Sequence, residues 1–337
     1  MSARIVARPA RYARLLGVGK YLPARVVTND EICEWIESSD EWIRERSGIE
    51  SRHYAAEDES VVDMAAAAAG KALAHAGLSI DDIGSIVVAT VTHPYQTPSA
   101  AALVADRLGT TTAGAFDVAA ACAGFSYGIG LADGIVRSGQ DDHVLVIGVE
   151  KLTDYVARDD RGTSFIFADG AGAVVVGPSD EPGIGPTVWG ADGGQAEAII
   201  MSQDWVSYRR TLAADPGAPW PILTMQGQAV FRWAVGEMAK VAREAVAAAG
   251  LTLDDLDVFI PHQANMRITD AMLRQLGLPE HVVVARDIAT SGNTSGASIP
   301  LAMAALYESG QASSGQTALL IGFGAGLAYA AQVVTLP

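Results

Sequence analysis

The chain has 337 residues, half of them apolar, and a formal net charge of −16. So much apolar sequence supports a sizeable core, in one large domain or two of ordinary size. The acidic balance excludes nucleic acid and anionic membrane as general partners, because those surfaces are gathered by excess Lys and Arg. Two distant cysteines, Cys33 and Cys122, exclude a disulfide framework and a zinc knuckle and fit a reduced, cytoplasmic setting.

In chain order, Met1 to Ala13 is Arg-rich but lacks the apolar centre of a signal peptide, so it reads as a loose arm. "TNDEICEWIES" is a helical stretch that carries Cys33. An Ala-rich helix then stops at Gly77, a C-cap glycine, before the strand "IGSIVVATV". Its unbroken apolar character suits a strand covered on both faces, as does that of "HVLVIGVE" further on. Between them "AFDVAA" reads as a strand leading inward and "GFSYGIGLADGIVRSG" as an amphipathic helix. The Gly- and Pro-rich segment Gly177 to Thr187 reads as a boundary. A second Ala-rich helix stops at Gly250, "VFIPHQAN" ends a buried strand in polar residues, and "TSGNTSGASIP" is a glycine-bounded turn before another helix. Near the end, Ala318 to Val334 is uncharged and close to membrane-spanning length, yet three glycines divide it into strand, loop and strand.

Two internal matches set the architecture. Ala72 to Val88 and Ala245 to Pro261, 173 residues apart, share a helix, a glycine stop, an Asp-Asp turn and an apolar strand. Ser138 to Gly148 is answered by Ser309 to Gly322 with a three-residue insertion. A period of half the chain means one duplicated α/β unit rather than a solenoid, with halves at 1–180 and 181–337.

Cys122 stands between its inward strand and the following helix, among Ala120, Ala121, Ala123 and Gly124. A free cysteine is often only a small buried hydrophobe. At a helix start, however, unpaired N–H groups and the dipole favour thiolate, and the small neighbours leave room for a substrate. The polar partners on apolar ground are His262, with Asn265 nearby, and Asn293; taken singly they read as a core histidine and a turn. No histidine spacing points to a metal. Counting back by the 171-residue offset of the matched "SGQ" triplets sets Asn293 opposite Cys122, while the 173-residue offset sets His262 opposite Ala89. Pseudo-symmetry then gathers Cys122, His262 and Asn293 in one site.

The motifs "SSDEWIRERSGIESRH", "AACAGF", "DRGTSFIFADGAGAVV", "PHQANMRI", "GNTSGASIP" and "IGFGAGL" span nearly the whole chain. In them it resembles the β-ketoacyl-acyl carrier protein synthases III of the thiolase superfamily, in the form found in high-GC Gram-positive bacteria. The resemblance implies an α/β thiolase-like fold of five α-β-α-β-α layers, a homodimer, and a decarboxylative condensation of an acyl-coenzyme A with malonyl-acyl carrier protein, with no metal or other cofactor. It implies Cys122 as nucleophile and His262 and Asn293 as donors to the malonyl thioester oxygen. The backbone N–H groups of Cys122 and Ala325 are implied for the acyl oxyanion, and Ala325 stands where relatives may have Gly. For coenzyme A it implies Trp42 and Arg161 flanking the adenine, with Arg46 and Gly162 near the nucleotide. For the acidic carrier protein it implies a local basic patch of Arg232, Arg267 and Arg274. Thr97, reached from the partner subunit where acetyl-preferring relatives carry phenylalanine, implies a roomier pocket for short branched acyl groups; longer chains stay open. Gly296 departs from the more common alanine.

Three rivals stand beside this reading. A condensing enzyme that primes a polyketide pathway shares the fold and chemistry. A Cys-His-Asn hydrolase would need the histidine against the sulfur, and a non-catalytic partner subunit would have lost the nucleophile.

Overall fold

The computed structural model describes residues 10–337. Most of the expected N-terminal arm lies outside them, and Tyr12 and Ala13, its end, belong to the first strand. That sheet comprises β1 (Tyr12–Tyr21), β2 (Ser85–Ala89), β3 (Gly114–Val118), β4 (Val144–Lys151) and β5 (Asp169–Ser179), in the order β1-β5-β4-β2-β3. A second sheet comprises β6 (Val188–Gly190), β7 (Val258–Pro261), β8 (Val283–Val284), β9 (Thr317–Gly324) and β10 (Ala328–Thr335), in the order β6-β10-β9-β7-β8. In both, two antiparallel pairings are followed by two parallel ones. The same order and the same directions in each sheet are those of one unit used twice.

Strand alternation distributes the core. Val144 and Val146 of β4 face the middle of the molecule, whereas Leu145, Ile147 and Val149 face outward. In β9, Leu320 faces the middle and Leu319, Ile321 and Phe323 face outward. Both faces being apolar, each sheet needs helices on both sides. Helices α1 (Val61–Ala76) and α2 (Ala100–Leu108) cover the first sheet outside; α3 (Gly124–Ser138) and α6 (Ser298–Glu308) fill the middle; α4 (Gly227–Ala248) and α5 (Met266–Leu276) cover the second sheet. The result is the expected α-β-α-β-α stack.

Helix α1 begins with a reciprocal Ser60–Asp63 capping box and ends at Gly77 with φ 68°. The apolar run at the C-terminus is the antiparallel pair β9–β10, and among the described residues no helix is long and apolar enough to cross a membrane. Two local expectations change. Gly177 to Ser179 belong to β5, so the connection between the sheets is shorter than its composition indicates. Strand β3 leads to Cys122 but is an edge strand, with Phe116 38% exposed.

The middle helices begin alike. Short turns at Ala121–Ala123 and Ser295–Ala297 precede α3 and α6, with left-handed backbone at Ala121 (φ 45°) and Ser295 (φ 49°). The counterpart of Cys122 is therefore Gly296, not Asn293 as the "SGQ" offset indicates. The triplets follow helices of 15 and 11 residues, so an offset taken after them does not hold at the helix starts. Each turn packs under a strand of the opposite half. A Cβ on Gly148 of β4 would collide with the Gly296 carbonyl, and one on Gly322 of β9 would stand 2.9 Å from the Cys122 carbonyl. The pseudo-twofold axis passes between these contacts.

Candidate active site

Cys122 follows Ala121, whose left-handed conformation is costly for a residue with a side chain and recurs at functional turns. The bend sets the thiol, 9% exposed, at the inner end of a cavity of about 890 Å³. Burial is the largest influence on this thiol and pushes it up to about 12; the Ser295 hydrogen bond pulls it down and the charge of Glu150 raises it. The lowering expected from the helix start does not prevail. A rise from 9 to about 12 corresponds to about 4 kcal/mol, whereas a helix terminus supplies at most ~2 kcal/mol. The resting thiol is protonated.

His262 emerges from β7 into the same cavity, 2% exposed. Ser298 Oγ accepts the Gln263 backbone N–H at 3.3 Å and lies 2.7 Å from His262 Nδ1, to which its free proton can be donated. With the hydroxyl donating to Nδ1, the ring proton sits on Nε2 and makes the imidazole a donor toward the cavity. Burial pushes the ring down to about 3, so it is neutral. Phe323 packs its ring against the imidazole at 5.3 Å and 75°.

Asn293 is held by the first half of the chain: its N–H donates to Ile166 O and its carbonyl accepts from Ala168 N–H. Its side-chain Oδ1 accepts from Ser295 N–H at 2.9 Å. The amide nitrogen makes one long contact, 3.5 Å, to Ala264 O and keeps a second N–H to offer the cavity. Cys122, His262 and Asn293 thus open on one space, and Ala325 lines it too. Gly324 is what brings the loop so close, because a Cβ there would stand 2.9 Å from Cys122 Sγ.

At the cavity mouth, Trp42 sits on the helix Asp40–Ser47, with the Arg161 guanidinium 4.8 Å and that of Arg46 5.8 Å from its ring. Gly162 lines the mouth beside them. A base between Trp42 and Arg161 needs the planes about 7 Å apart, two van der Waals contacts, so such a stack moves Arg161 outward. Arg232 on α4 and Arg267 on α5 also line the mouth, Arg267 lying 5.4 Å from the Phe231 ring. Arg274 is exposed further along α5 and outside the cavity wall. Asn265 caps α5 and ties it to Arg46 O at 3.0 Å. Thr97 is exposed and not part of the wall, and neither is Cys33.

Sequence reasoning missed Ser295, Ser298, Phe323, Gly324 and Glu150. The serines were in view within "TSGNTSGAS" as turn residues; Glu150 read as the end of a strand. Among the described residues no cluster of three or more His, Cys, Asp or Glu could hold a metal ion.

Comparison with known proteins follows the same geometry. Residues 116–193 match the family described as 3-oxoacyl-[acyl-carrier-protein] synthase III, and residues 246–336 match its C-terminal part. The chain is 60% identical over 334 residues to β-ketoacyl-[acyl-carrier-protein] synthase III 1 of Streptomyces coelicolor, covering 97% of each. Among solved structures it resembles the priming β-ketosynthase from the R1128 polyketide biosynthetic pathway, with TM-score 0.95, 48% identity, and 99% and 98% of the two chains covered. It also resembles 3-oxoacyl-(acyl carrier protein) synthase III of Pseudomonas aeruginosa PAO1, with TM-score 0.89, 36% identity, and 97% and 99% covered.

Proposed function

Since the chain belongs to the β-ketoacyl-[acyl-carrier-protein] synthase III family, we propose that Cys122, His262 and Asn293 are the residues with which it condenses an acyl-coenzyme A with malonyl-acyl carrier protein. The enzyme is an acyltransferase of fatty acid biosynthesis, and its thioester substrates need no cofactor. The observation that carries the site assignment is the opening of one nucleophile and two neutral N–H donors, supplied by residues 1–180 and 181–337, on one cavity.

In the first half-reaction Cys122 sulfur bonds to the acyl carbonyl and the bond to coenzyme A sulfur breaks. The Cys122 and Ala325 N–H groups receive the oxyanion. In the second, His262 Nε2–H and Asn293 Nδ2–H donate to the malonyl thioester oxygen as carbon dioxide leaves and enolate charge builds there. A donor preorganised in a dry site contributes about 2.7–4 kcal/mol to such a step. The carbanion attacks the Cys122 thioester and the cysteine sulfur departs. Burial that disfavours the imidazolium suits a histidine that stays a neutral donor, whereas a hydrolase needs a histidine that takes the sulfur's proton and becomes imidazolium.

Coenzyme A binds at Trp42, Arg46, Arg161 and Gly162, where indole and guanidinium planes meet the base and charge meets phosphate. The acidic carrier protein docks on Arg232, Arg267 and Arg274, which gives an acidic enzyme a local positive face and a salt-sensitive association. The functional unit is a homodimer in the cytoplasm: the unpaired edge of β3, with Phe116 38% and Tyr95 64% exposed nearby in the chain, supports pairing with a second copy. In that dimer Thr97 closes the partner's acyl pocket, and its small side chain admits isobutyryl and methylbutyryl groups ahead of acetyl.

A second reading keeps the chemistry and moves the pathway: the priming β-ketosynthase likeness supports a starter-unit role in polyketide synthesis. Intact mass after exposure to acetyl-, isobutyryl- and dodecanoyl-coenzyme A, with a Cys122→Ser control, tests the site. A Cys122-dependent adduct discharged to a β-ketoacyl product on adding malonyl-acyl carrier protein is expected, with isobutyryl leading. An adduct on Cys122→Ser, or release only to water, overturns it. Complementation of a strain lacking its own synthase III separates lipid from polyketide priming.

A further inference from the structure

A thiol held protonated needs somewhere to send its proton, and His262 is a poor acceptor: burial pushes its ring down to about 3, and Nδ1 is engaged by Ser298. Glu150 of β4 is fully buried behind Ser295. Its Oε2 accepts three hydrogen bonds, from Thr92 Oγ1 at 2.6 Å, Val91 N–H at 3.1 Å and Thr90 Oγ1 at 3.2 Å. Its Oε1 has Ser295 Oγ alone, at 3.2 Å. The same Ser295 lines the cavity wall with Cys122, its turn packs against the Cys122 turn, and its hydroxyl is the hydrogen-bonding group that pulls the thiol down. A hydroxyl donates one proton and accepts others, so thiol to Ser295 Oγ and Ser295 O–H to Glu150 Oε1 form a chain running one way.

We propose that Glu150 is a positioning residue that takes the Cys122 proton through the Ser295 hydroxyl during acylation and returns it when the thiolate is expelled. This rests on Cys122 being the nucleophile. In the step, the thiol S–H bond breaks and Ser295 Oγ gains that proton while its own passes to Glu150 Oε1. The sulfur electron pair forms the bond to the acyl carbon, and the bond to coenzyme A breaks with its electrons on the departing thiolate, which solvent protonates. Glu150 stays neutral through the life of the acyl-enzyme. When the carbanion expels Cys122 the proton retraces the path.

The surroundings favour a carboxyl that switches. Burial pushes Glu150 up to about 7, its hydrogen bonds opposing. The titratable groups that sense its charge are the Cys122 thiol and the Tyr155 phenol, both raised by it. The facing residue on β5 is Gly170, and the Ser295–Ala297 turn brings no charge. The adjacent Lys151 directs its ammonium to the Ala56 and Glu57 carbonyls.

The test is single-turnover acylation by isobutyryl-coenzyme A, followed by intact mass from pH 5.5 to 9, for the wild type, Glu150→Gln and Glu150→Asp. The wild-type rate is expected to rise with pH through an inflection near neutrality. Glu150→Gln should acylate at least about tenfold more slowly without that inflection, and Glu150→Asp should restore it. A wild-type rate in Glu150→Gln, or a slower rate that keeps the wild-type pH profile, overturns the proposal. Infrared difference spectra of the wild type serve where variants fail to fold: acylation is expected to bring up a protonated-carboxyl band, and its absence also overturns the proposal. A wild type that forms no adduct removes the nucleophile assignment and this inference with it.

Discussion

The two turns that start the middle helices share a backbone and divide the work. Ala121 and Ser295 adopt the same left-handed conformation 174 residues apart, and each turn lies under a glycine of the opposite sheet, Gly322 or Gly148. The side chains at the axis are exchanged in size. Cys122 fits against Gly324, whereas its counterpart Gly296 faces Glu150, the counterpart of Gly324; a Cβ at 296 would stand 3.6 Å from Glu150 Oε1. One turn thus offers a thiol against bare backbone, and the other offers bare backbone against an acid. The two halves supply equivalent launching points, and side-chain volume is what differs between them.

Removing the proposed nucleophile breaks this comparison most completely. Cys122→Ala is expected to lower condensation by at least about 10⁴-fold, the scale of losing a nucleophile, with no acyl adduct by mass. Retained condensation would mean that the second turn, or another residue, carries the chemistry.

The donor side breaks next. His262→Ala and Asn293→Ala should each lower condensation about 10²- to 10³-fold, with acylation of Cys122 much less affected, as measured by separate burst and steady-state kinetics. The pH dependence has a definite sign. Burial favours the neutral imidazole and holds its pKa at about 3, below the ordinary 6.5. Malonyl decarboxylation by Cys122→Ala should therefore show no acid-side loss at 6.5 as pH falls to 5. An inflection at 6.5 would mean a solvated, titrating histidine.

Much of this was legible in the chain because small residues and polar residues stand out after apolar strands. Cys122 among alanines and His262 after "VFIP" stand out, and the structure opens both on one cavity; the repeat predicted two matching halves. The Asn293 counterpart went wrong because helices of 15 and 11 residues precede the matched triplets. Glu150 stayed hidden for another reason: its partners Thr90, Thr92 and Ser295 are brought together by pairing of β4 with β2 and by the opposite half. No local pattern encodes such a meeting. Thr97 likewise is exposed and lies outside the cavity wall of its own chain.

Volume at the axis gives the sharper tests. Gly324→Ala sets a methyl 2.8 Å from Cys122 Cβ and 2.9 Å from Sγ. Either the thiol or the Ala325 loop must move, and acylation should fall about 10²-fold, since a misplacement near 1 Å costs that much. The two strand glycines should differ. Gly148→Ala meets backbone on the other half at closer range than Gly322→Ala, so by denaturant unfolding it should lie at the upper end of the ~1–3 kcal/mol overpacking range and Gly322→Ala at the lower end. Equal losses would mean that the halves do not mate at these points.

The smallest effect belongs to Gly296. Its backbone is not left-handed, so alanine is allowed there, and restricting the unfolded chain contributes about 0.4–1 kcal/mol. Against that, the new Cβ stands 3.2 Å from Ala121 O and 3.5 Å from Ala89 O, close enough that a neighbour must shift by a few tenths of an ångström. The two terms nearly cancel, and calorimetry should find Gly296→Ala within about 1 kcal/mol of the wild type. Because the methyl also approaches Glu150 Oε1, any change in activity should appear in the acylation pH profile before it appears in condensation. A loss of several kcal/mol would show that the two turns are mated too tightly for either to accept a methyl, which would make the glycine a packing requirement of the axis rather than a position left small because the acid already occupies its space.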